Sequence, residues 1–204
     1  MLVSELAKMV HENAVEHGWW EDEREATEVL ALIHSEWSEA LEEARAGRPL
    51  IYFNCDDCIG GPCIYNPGDP LACSFIPAAK KPEGVAVELI DGCIRILDYI
   101  GKLGTIEPGS EKSDVVIEKL YSEKPFDDVV SREKLPVLVA HLHFHTSAFM
   151  NIKEEFPAVR VVQMLLTLSI AMSWVKKQGL DPLAILLEKH EYNKTRPYKH
   201  GKRF

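Results

Sequence analysis

The chain has 204 residues, 46% of them hydrophobic and 27% charged, so it can bury a core and is not a disordered chain. A formal net charge of −9 argues against general binding to nucleic acid or to an anionic membrane. No uninterrupted apolar run reaches the roughly 18 residues of a membrane span, and the first residues lack the apolar core of a signal peptide. We therefore expect a cytoplasmic protein that has neither nucleic acid nor membrane as a partner.

Helical periodicity organises the first half of the chain. Apolar residues recur at helical spacing over residues 2–17, and a second helix is predicted over about 21–46. Residues 50–81 lose this periodicity, are rich in glycine, proline, asparagine and aspartate, and include four of the five cysteines. That composition predicts an irregular insert. Helix returns over 83–103 and is expected to end at Gly104.

The second half of the chain is also predicted to be helical. After a polar stretch with one short helix around 115–121, two additional apolar helices are expected within 133–178, separated by a proline. Asp181 followed by Pro182 is typical of an N-cap and a first helical residue, so a last helix begins there. No internal repeat or strand series is visible. The predicted fold class is therefore all-α, a helical bundle forming one domain over 1–204 with the irregular cysteine-containing insert.

Acidic residues cluster along one border of the apolar stripe on the second helix. On a helical wheel, Glu36, Glu39 and Glu43 fall within about 60° of one another. A solvated acidic face explains this helix when it is considered alone, because the acids just upstream of it form such a face too. The second helix by itself therefore does not predict a metal site.

The third helix changes that interpretation, because nearly its whole wheel is apolar and it should lie in the centre of the bundle. Glu88 and Asp91 lie on its polar stripe together with Arg95. A buried carboxylate must be paired, hydrogen-bonded or bound to metal, and Arg95 alone can neutralise one acid. If the two acids of this helix face Glu36 and Glu39, an oxygen-preferring cation such as Mg²⁺ or Mn²⁺ balances the charge.

The order and spacing of these acids resemble a known family. The sequence HSEWSEALEEARAG followed by KPEGVAVELIDGCIRILDYIG is similar to the paired ExxE and ExxD motifs of the MazG-like all-α nucleoside triphosphate pyrophosphohydrolases. The resemblance covers roughly residues 1–50, 82–104 and 181–204. It leaves out the cysteine-containing insert, and the two motifs are further apart than is usual in the family.

The resemblance implies an activity and a set of functional residues. It implies that Mg²⁺ is held by Glu36, Glu39, Glu88 and Asp91, with Glu43 as an additional candidate ligand. The implied reaction converts an NTP or dNTP to the monophosphate and pyrophosphate. Glu39 is then the candidate catalytic residue, which orients or deprotonates the attacking water. The usual pairing of subunits in the family implies a homodimer or a tetramer.

Basic residues are concentrated in the C-terminal segment LEKHEYNKTRPYKHGKRF of this otherwise acidic chain. A frayed, solvated terminus is one explanation. The segment is also similar to the K…N..R and HG.K endings of MazG-like and dimeric dUTPase-like sequences. That similarity implies that Lys189, Asn193 and Arg196 contact phosphate or sugar, with Lys199 as a further candidate. Trp20, in a GWW turn shared with similar sequences, is a candidate for stacking on a nucleobase.

The cysteines of the insert leave two interpretations open. Cys55, Cys58, Cys63 and Cys73 could form a tetrahedral zinc site that stiffens a segment without a core of its own, or they could be unligated thiols. Cys93 on the third helix is predicted to be a core residue. The alternating histidines over 141–145 would diverge on a helix, so they are assigned no chemistry.

Three functions therefore follow from the sequence. The first is Mg²⁺-dependent nucleotide pyrophosphohydrolysis. The second keeps this chemistry but changes the substrate, as in a dUTPase or a phosphoribosyl-ATP pyrophosphatase. The third is a non-enzymatic helical adaptor whose insert binds zinc and a protein partner, although an adaptor gives no reason for acids on a buried helix. The sequence does not identify the base or the sugar.

Overall fold

The computed structural model describes residues 1–53, 63–64, 80–104, 116–122 and 134–201. These residues are mostly helical, which confirms the predicted all-α character. Two short 3₁₀ helices, Phe149–Asn151 and Tyr198–Gly201, accompany the α-helices. The described α-helices are α1 (Val3–Glu16), α2 (Ala26–Arg45), α3 (Val85–Leu103), α4 (Ile117–Ser122), α5 (Leu135–Ala148), α6 (Pro157–Lys177) and α7 (Pro182–Lys194).

Helix α3 lies at the centre of these helices, as its apolar sequence predicts. It packs against α1, α2, α6 and α7, and most of its side chains are buried. Cys93 on this helix is fully buried, which confirms its prediction as a core residue. The carboxylates that α3 carries are therefore held inside the protein, where each of them needs a partner.

Gly92 allows α2 to approach α3 closely. A Cβ atom at position 92 would overlap the indole ring of Trp37, which is fully buried. The Nε1 of Trp37 donates a hydrogen bond to Thr146 Oγ1 on α5 at 3.0 Å. The Trp37 indole thus connects three helices. It also fixes the position of the preceding residue, Glu36, along the axis of α3.

A small antiparallel sheet precedes α3, which the sequence did not predict. Its strands, in the order β2-β1-β3, are β1 (Tyr52–Phe53), β2 (Cys63–Ile64) and β3 (Pro82–Glu83). Pro82 is tolerated because β3 is an edge strand. Gly84, at a φ of 114°, then turns the chain into α3, where a Cβ would lie only 2.7 Å from the carbonyl oxygens of Pro49 and Leu50. Helix α3 consequently begins at Val85, two residues later than predicted.

The largest difference in helix bounds is at the start of α2, which begins at Ala26 rather than near Glu21. Residues 21–25 are all charged and largely exposed, so they have no apolar face to bury against the core. The start of α7 is as predicted, because the Asp181 side chain accepts hydrogen bonds from the backbone N–H groups of Leu183 and Ala184.

Helix α5 packs against α2, and helix α6 packs against α3 and α5. Helix α6 is long and apolar enough to cross a membrane, by length and composition alone, although no membrane span was predicted from the sequence. Its most apolar window has a mean hydropathy of 1.6, and 61% of that window is buried within the protein. Packing against α3, α4 and α5 accounts for this burial.

The predicted zinc site cannot be placed. Cys55, Cys58 and Cys73 lie outside the described residues, as does the side chain of Cys63, whose backbone belongs to β2.

Candidate functional site

Three carboxylates converge where α2 meets α3. Glu36 comes from α2, and Glu88 and Asp91 come from consecutive turns of α3. One oxygen from each of them can be chosen so that all three atoms lie within 4.8 Å of one another. Glu36 and Glu88 are only 5% and 6% exposed, and the Asp91 side chain is 18% exposed. We call these three residues the carboxylate cluster.

Two cationic side chains pair with Glu36 and Asp91 of the carboxylate cluster. The Nε of Arg95 donates to Glu36 Oε1 at 2.5 Å, and the Nζ of Lys189 lies 2.7 Å from Asp91 Oδ2. Lys81 lies near Glu88, although its ammonium forms its hydrogen bond, at 2.9 Å, with Glu83. The cluster thus keeps more acid than its directly bonded cations neutralise.

The pKa values of Glu88 and Glu36 are both raised. Burial, together with the neighbouring Asp91 carboxylate, raises the pKa of Glu88 to about 8. Burial also raises the pKa of Glu36, although the guanidinium of Arg95 opposes the shift. Without a further cation, Glu88 therefore holds a proton near neutral pH. Three convergent carboxylate oxygens are the donor set of a hard divalent cation, so Mg²⁺ or Mn²⁺ fits this cluster.

The carboxylate cluster opens into a cavity of about 200 Å³. The cavity follows α3 from Glu88 to Asp98, a distance of about 15 Å at the rise of an α-helix. Among the described residues, all five acids that line it belong to α2 and α3. The acids are Glu36, Glu39, Glu88, Asp91 and Asp98.

The remaining walls of the cavity combine cationic and neutral polar side chains with a few apolar ones. They come from the end of α1, the connection to α2, the segment before β3, helix α7 and the C-terminal segment. Their chemically important side chains are Asn13, Trp19, Arg24, Lys81, His190, Asn193 and Arg196. A ligand in the cavity therefore contacts carboxylates on one side and hydrogen-bond donors and cations on the other, which suits a metal ion carrying an anionic ligand.

Two buried polar atoms on α7 lack a hydrogen-bond partner among the described residues. His190 is 1% exposed and Asn193 is 8% exposed, and both line the cavity. Neither His190 Nε2 nor Asn193 Oδ1 has a hydrogen-bond partner within the described part of the chain. Burial, with the nearby Lys194 ammonium, lowers the pKa of His190, so its imidazole is neutral near pH 7. Buried polar groups without partners are costly, and a bound ligand or water would satisfy them.

No protein-family model, no curated protein and no solved structure matches this chain. The similarity to MazG-like pyrophosphohydrolases therefore stays a resemblance that the motifs carry.

The acids predicted on α2 are distributed differently from one another. Glu36 belongs to the carboxylate cluster. Glu39 lines the cavity but is exposed and stands outside the cluster, one turn further along the helix. Glu43 is absent from the cavity wall and lies instead beside Tyr52, whose pKa is raised by burial and by its hydrogen bond to Glu43. The structure thus gives Glu43 a partner in β1 and does not support it as a metal ligand.

The tail residues also separate into two groups. Asn193 and Arg196 line the cavity, and their contact with phosphate or sugar stays a prediction. Lys189 does not line it, because its ammonium is buried against Asp91. Lys199 lies outside the cavity as well, with its Nζ 3.7 Å from Asp22 Oδ2 and over the ring of Tyr198. These two lysines are therefore placed as ion-pair partners within the protein.

The tryptophan that reaches the cavity is Trp19, not the predicted Trp20. The Nε1 of Trp20 donates to Asp98 Oδ1 at 2.9 Å, and the ammonium of Lys102 lies over its ring. These two contacts hold Trp20 against α3, away from the cavity wall. Trp19 carries the guanidinium of Arg24 at 5.0 Å from its ring centroid. A planar base would stack here on an aromatic or a guanidinium surface.

Histidines form a second polar cluster on the opposite side of α2. His34 Nδ1 lies 2.7 Å from His143 Nδ1 on α5, and Ser147 Oγ lies 3.3 Å from His34 Nε2. We call these three residues the histidine contact. Each ring shares a hydrogen bond, no carboxylate takes part among the described contacts, and the contact joins α2 to α5.

Several cavity residues were not predicted from the sequence. Lys81 lies in the segment predicted to be an irregular insert, and Arg24 lies among acids predicted to form a solvated face. His190 could have been found, because it shares one face of α7 with Asn193 at a spacing of three residues. Asp98 could have been found too, since it lies on the same polar stripe of α3 as Asp91.

Proposed function

We propose that this protein is a Mg²⁺-dependent nucleotide pyrophosphohydrolase that converts an NTP or dNTP to the monophosphate and pyrophosphate. The observation that carries the proposal is the carboxylate cluster, two buried acids and one partly buried acid from two helices that converge within 4.8 Å beside a cavity. Its acids are three of the four acids of the ExxE and ExxD motifs on which the resemblance to MazG-like pyrophosphohydrolases rests.

The two sides of the cavity fit the two parts of such a substrate. A bound Mg²⁺ would neutralise phosphate charge and lower the pKa of a coordinated water. Arg95 and Arg196 line the same cavity and can donate paired hydrogen bonds to phosphate oxygens. The unpaired atoms of His190 and Asn193 are suited to the uncharged nucleoside, because they satisfy hydroxyl or amino groups without needing a charge.

The proposed reaction is an in-line displacement at the α-phosphorus. The oxygen of a water molecule bonds to this phosphorus while the bond from the phosphorus to the bridging oxygen breaks, and pyrophosphate leaves. Glu39 is exposed on the cavity wall, so its carboxylate can accept the proton of that water. The guanidinium groups stabilise the negative charge that accumulates on the leaving pyrophosphate.

The direct test is pyrophosphate release from a panel of nucleotides by the purified protein, with and without Mg²⁺. The panel contains the canonical NTPs and dNTPs, dUTP and phosphoribosyl-ATP, so that the related substrate classes are tested together. We expect Mg²⁺-dependent release of pyrophosphate with at least one of them. Absence of release from every nucleotide of the panel would contradict the proposal.

Zinc analysis distinguishes the non-enzymatic alternative. One zinc per chain without Mg²⁺-dependent hydrolysis would favour an adaptor built on the insert. Zinc together with hydrolysis would instead make zinc a structural component of the enzyme.

A further inference from the structure

Lys189 is buried and lies outside the cavity wall. Its side chain is 1% exposed, and it is absent from the cavity wall, although Asn193, one turn further along α7, lines the cavity. Its ammonium has two contacts, Asp91 Oδ2 at 2.7 Å and the carbonyl oxygen of Pro82 at 3.3 Å. Reaching a phosphate would require Lys189 to abandon both contacts and leave a buried carboxylate unpaired.

The contacts of Lys189 control the orientation of Asp91. With Oδ2 held by the ammonium, the carboxylate cannot rotate freely beside the other two acids of the carboxylate cluster. The cluster gathers Asp91 with two further acids within 4.8 Å, so an Asp91 side chain without this contact would be repelled by them and turn away. Turning away would remove one ligand from a bound cation.

We propose that Lys189 is a positioning residue of the metal centre, which fixes Asp91 for cation binding and makes no contact with the nucleotide. This inference rests on the proposed function, since it assumes that the carboxylate cluster binds a divalent cation. It differs from the role that the sequence resemblance implied, in which Lys189 reaches the substrate. Groups that orient a metal ligand typically change metal affinity about 10- to 100-fold when they are replaced.

The test is Mn²⁺ binding to the full chain in the absence of nucleotide, measured by the loss of the free-ion electron paramagnetic resonance signal. Lys189→Met keeps the length and apolar stem of the side chain but removes its charge. We expect it to weaken Mn²⁺ binding by about 10-fold or more. The matched control is Lys194→Met on the same helix, whose ammonium is 46% exposed and pairs with Glu191. This control should leave Mn²⁺ affinity within twofold.

Nucleotide kinetics separate positioning from substrate contact. At saturating Mn²⁺, Lys189→Met should leave the KM for the nucleotide within threefold, whereas Arg196→Gln should raise it without changing nucleotide-free Mn²⁺ affinity. Unchanged or tighter Mn²⁺ binding by Lys189→Met, or a raised KM at saturating Mn²⁺, would overturn the inference.

A double-mutant cycle distinguishes action through Asp91 from a general structural role. In the Asp91→Asn background, adding Lys189→Met should cause no further loss of Mn²⁺ affinity, because the carboxylate that Lys189 positions is already gone. A further loss would mean that Lys189 acts through Pro82 or through packing. The comparison of Asp91→Asn with the double variant also remains informative if Lys189→Met alone does not fold, since the double variant leaves no unpaired aspartate.

Wild-type binding keeps the two proposals apart. If the wild-type protein binds no Mn²⁺, the metal centre itself is refuted, and the role of Lys189 with it. If wild-type binding is normal and Lys189→Met binds equally well, the metal centre stands and only the role of Lys189 is refuted.

Discussion

The two polar clusters on opposite sides of α2 differ in how their charges are arranged. In the histidine contact, His34 and His143 share a hydrogen bond and Ser147 completes the set. In the carboxylate cluster, like charges are brought together, and burial raises the pKa of Glu88 to about 8. A polar cluster that is satisfied within the protein serves its packing, whereas one that remains strained favours an external ligand.

The substitution Glu88→Gln should have the largest effect on activity, and it tests the role proposed for the carboxylate cluster. Gln keeps the shape of the side chain but cannot supply an anionic oxygen, so Mg²⁺-dependent pyrophosphate release should fall by about 10³-fold, or about 4 kcal/mol of transition-state stabilisation. The measurement is kcat/KM on the best nucleotide of the panel. The matched control is Glu42→Gln on α2, where the acid is 68% exposed and pairs with Arg45. A Glu88→Gln variant as active as this control would exclude Glu88 from the reaction.

Proton release upon metal binding tests the raised pKa of Glu88. At a pH below its pKa of about 8, Glu88 carries a proton, which it must lose before its carboxylate can bind a cation. Mg²⁺ affinity should therefore rise about tenfold per pH unit from roughly pH 6 to 8 and level off above that pH. Calorimetry in two buffers of different ionisation enthalpy measures the released proton directly. Affinity that does not vary over this range would mean that Glu88 is already ionised in the metal-free protein.

The same pKa predicts how pH affects the stability of the metal-free protein. The pKa of Glu88 is raised from 4.5 in the unfolded chain to about 8 in the folded protein. The folded state thus binds a proton that the unfolded state has lost, so the stabilisation is complete below pH 4.5 and disappears as the pH rises through 8. The Tm of the wild type should fall relative to that of Glu88→Gln over this range. Parallel Tm curves for the two proteins would contradict this expectation.

The smallest effect is expected at the histidine contact. His143→Phe removes a hydrogen bond between neutral groups that are partly exposed, so it should cost about 1 kcal/mol of unfolding free energy. Nucleotide hydrolysis should stay within twofold of the wild type, because no residue of the histidine contact lines the cavity. Denaturant unfolding and the pyrophosphate assay measure the two quantities. A large loss of activity in a folded His143→Phe protein would mean that the two clusters are coupled through α2.

Helices and carboxylates were predictable because each depends on local pattern. The apolar wheel of α3 predicted its central position, the burial of Glu88 and the partial burial of Asp91. The Asp181-Pro182 pair predicted the start of α7 through capping chemistry alone. Glu36 was predicted less directly, since its helix is rich in acids whose burial depends on tertiary packing.

The tail and the insert were harder to interpret because their contacts are distant in sequence. Lys189 and Arg196 look alike as basic residues, yet one is buried against α3 and the other lines the cavity. Which of two adjacent indoles reaches the cavity likewise depends on contacts that are distant in sequence. Asp98 accepts a hydrogen bond from Trp20 and holds it away from the cavity, whereas Trp19 lines the cavity. The strands β1 and β3 pair across about 30 residues and carry too few residues for a period to be visible.

The pairing of β1 with β3 makes the connection between the two motif helices exchangeable. Phe53 and Pro82 are directly opposite each other, so the two ends of the intervening segment lie about 5 Å apart. The entropy of closing such a loop grows only with the logarithm of its length. Descendants of this chain could therefore lengthen, shorten or replace that segment at small energetic cost, while the distance between Glu36 and Glu88 stays the same. The longer spacing between the motifs is then a permitted variation in chain length that leaves the carboxylate cluster intact.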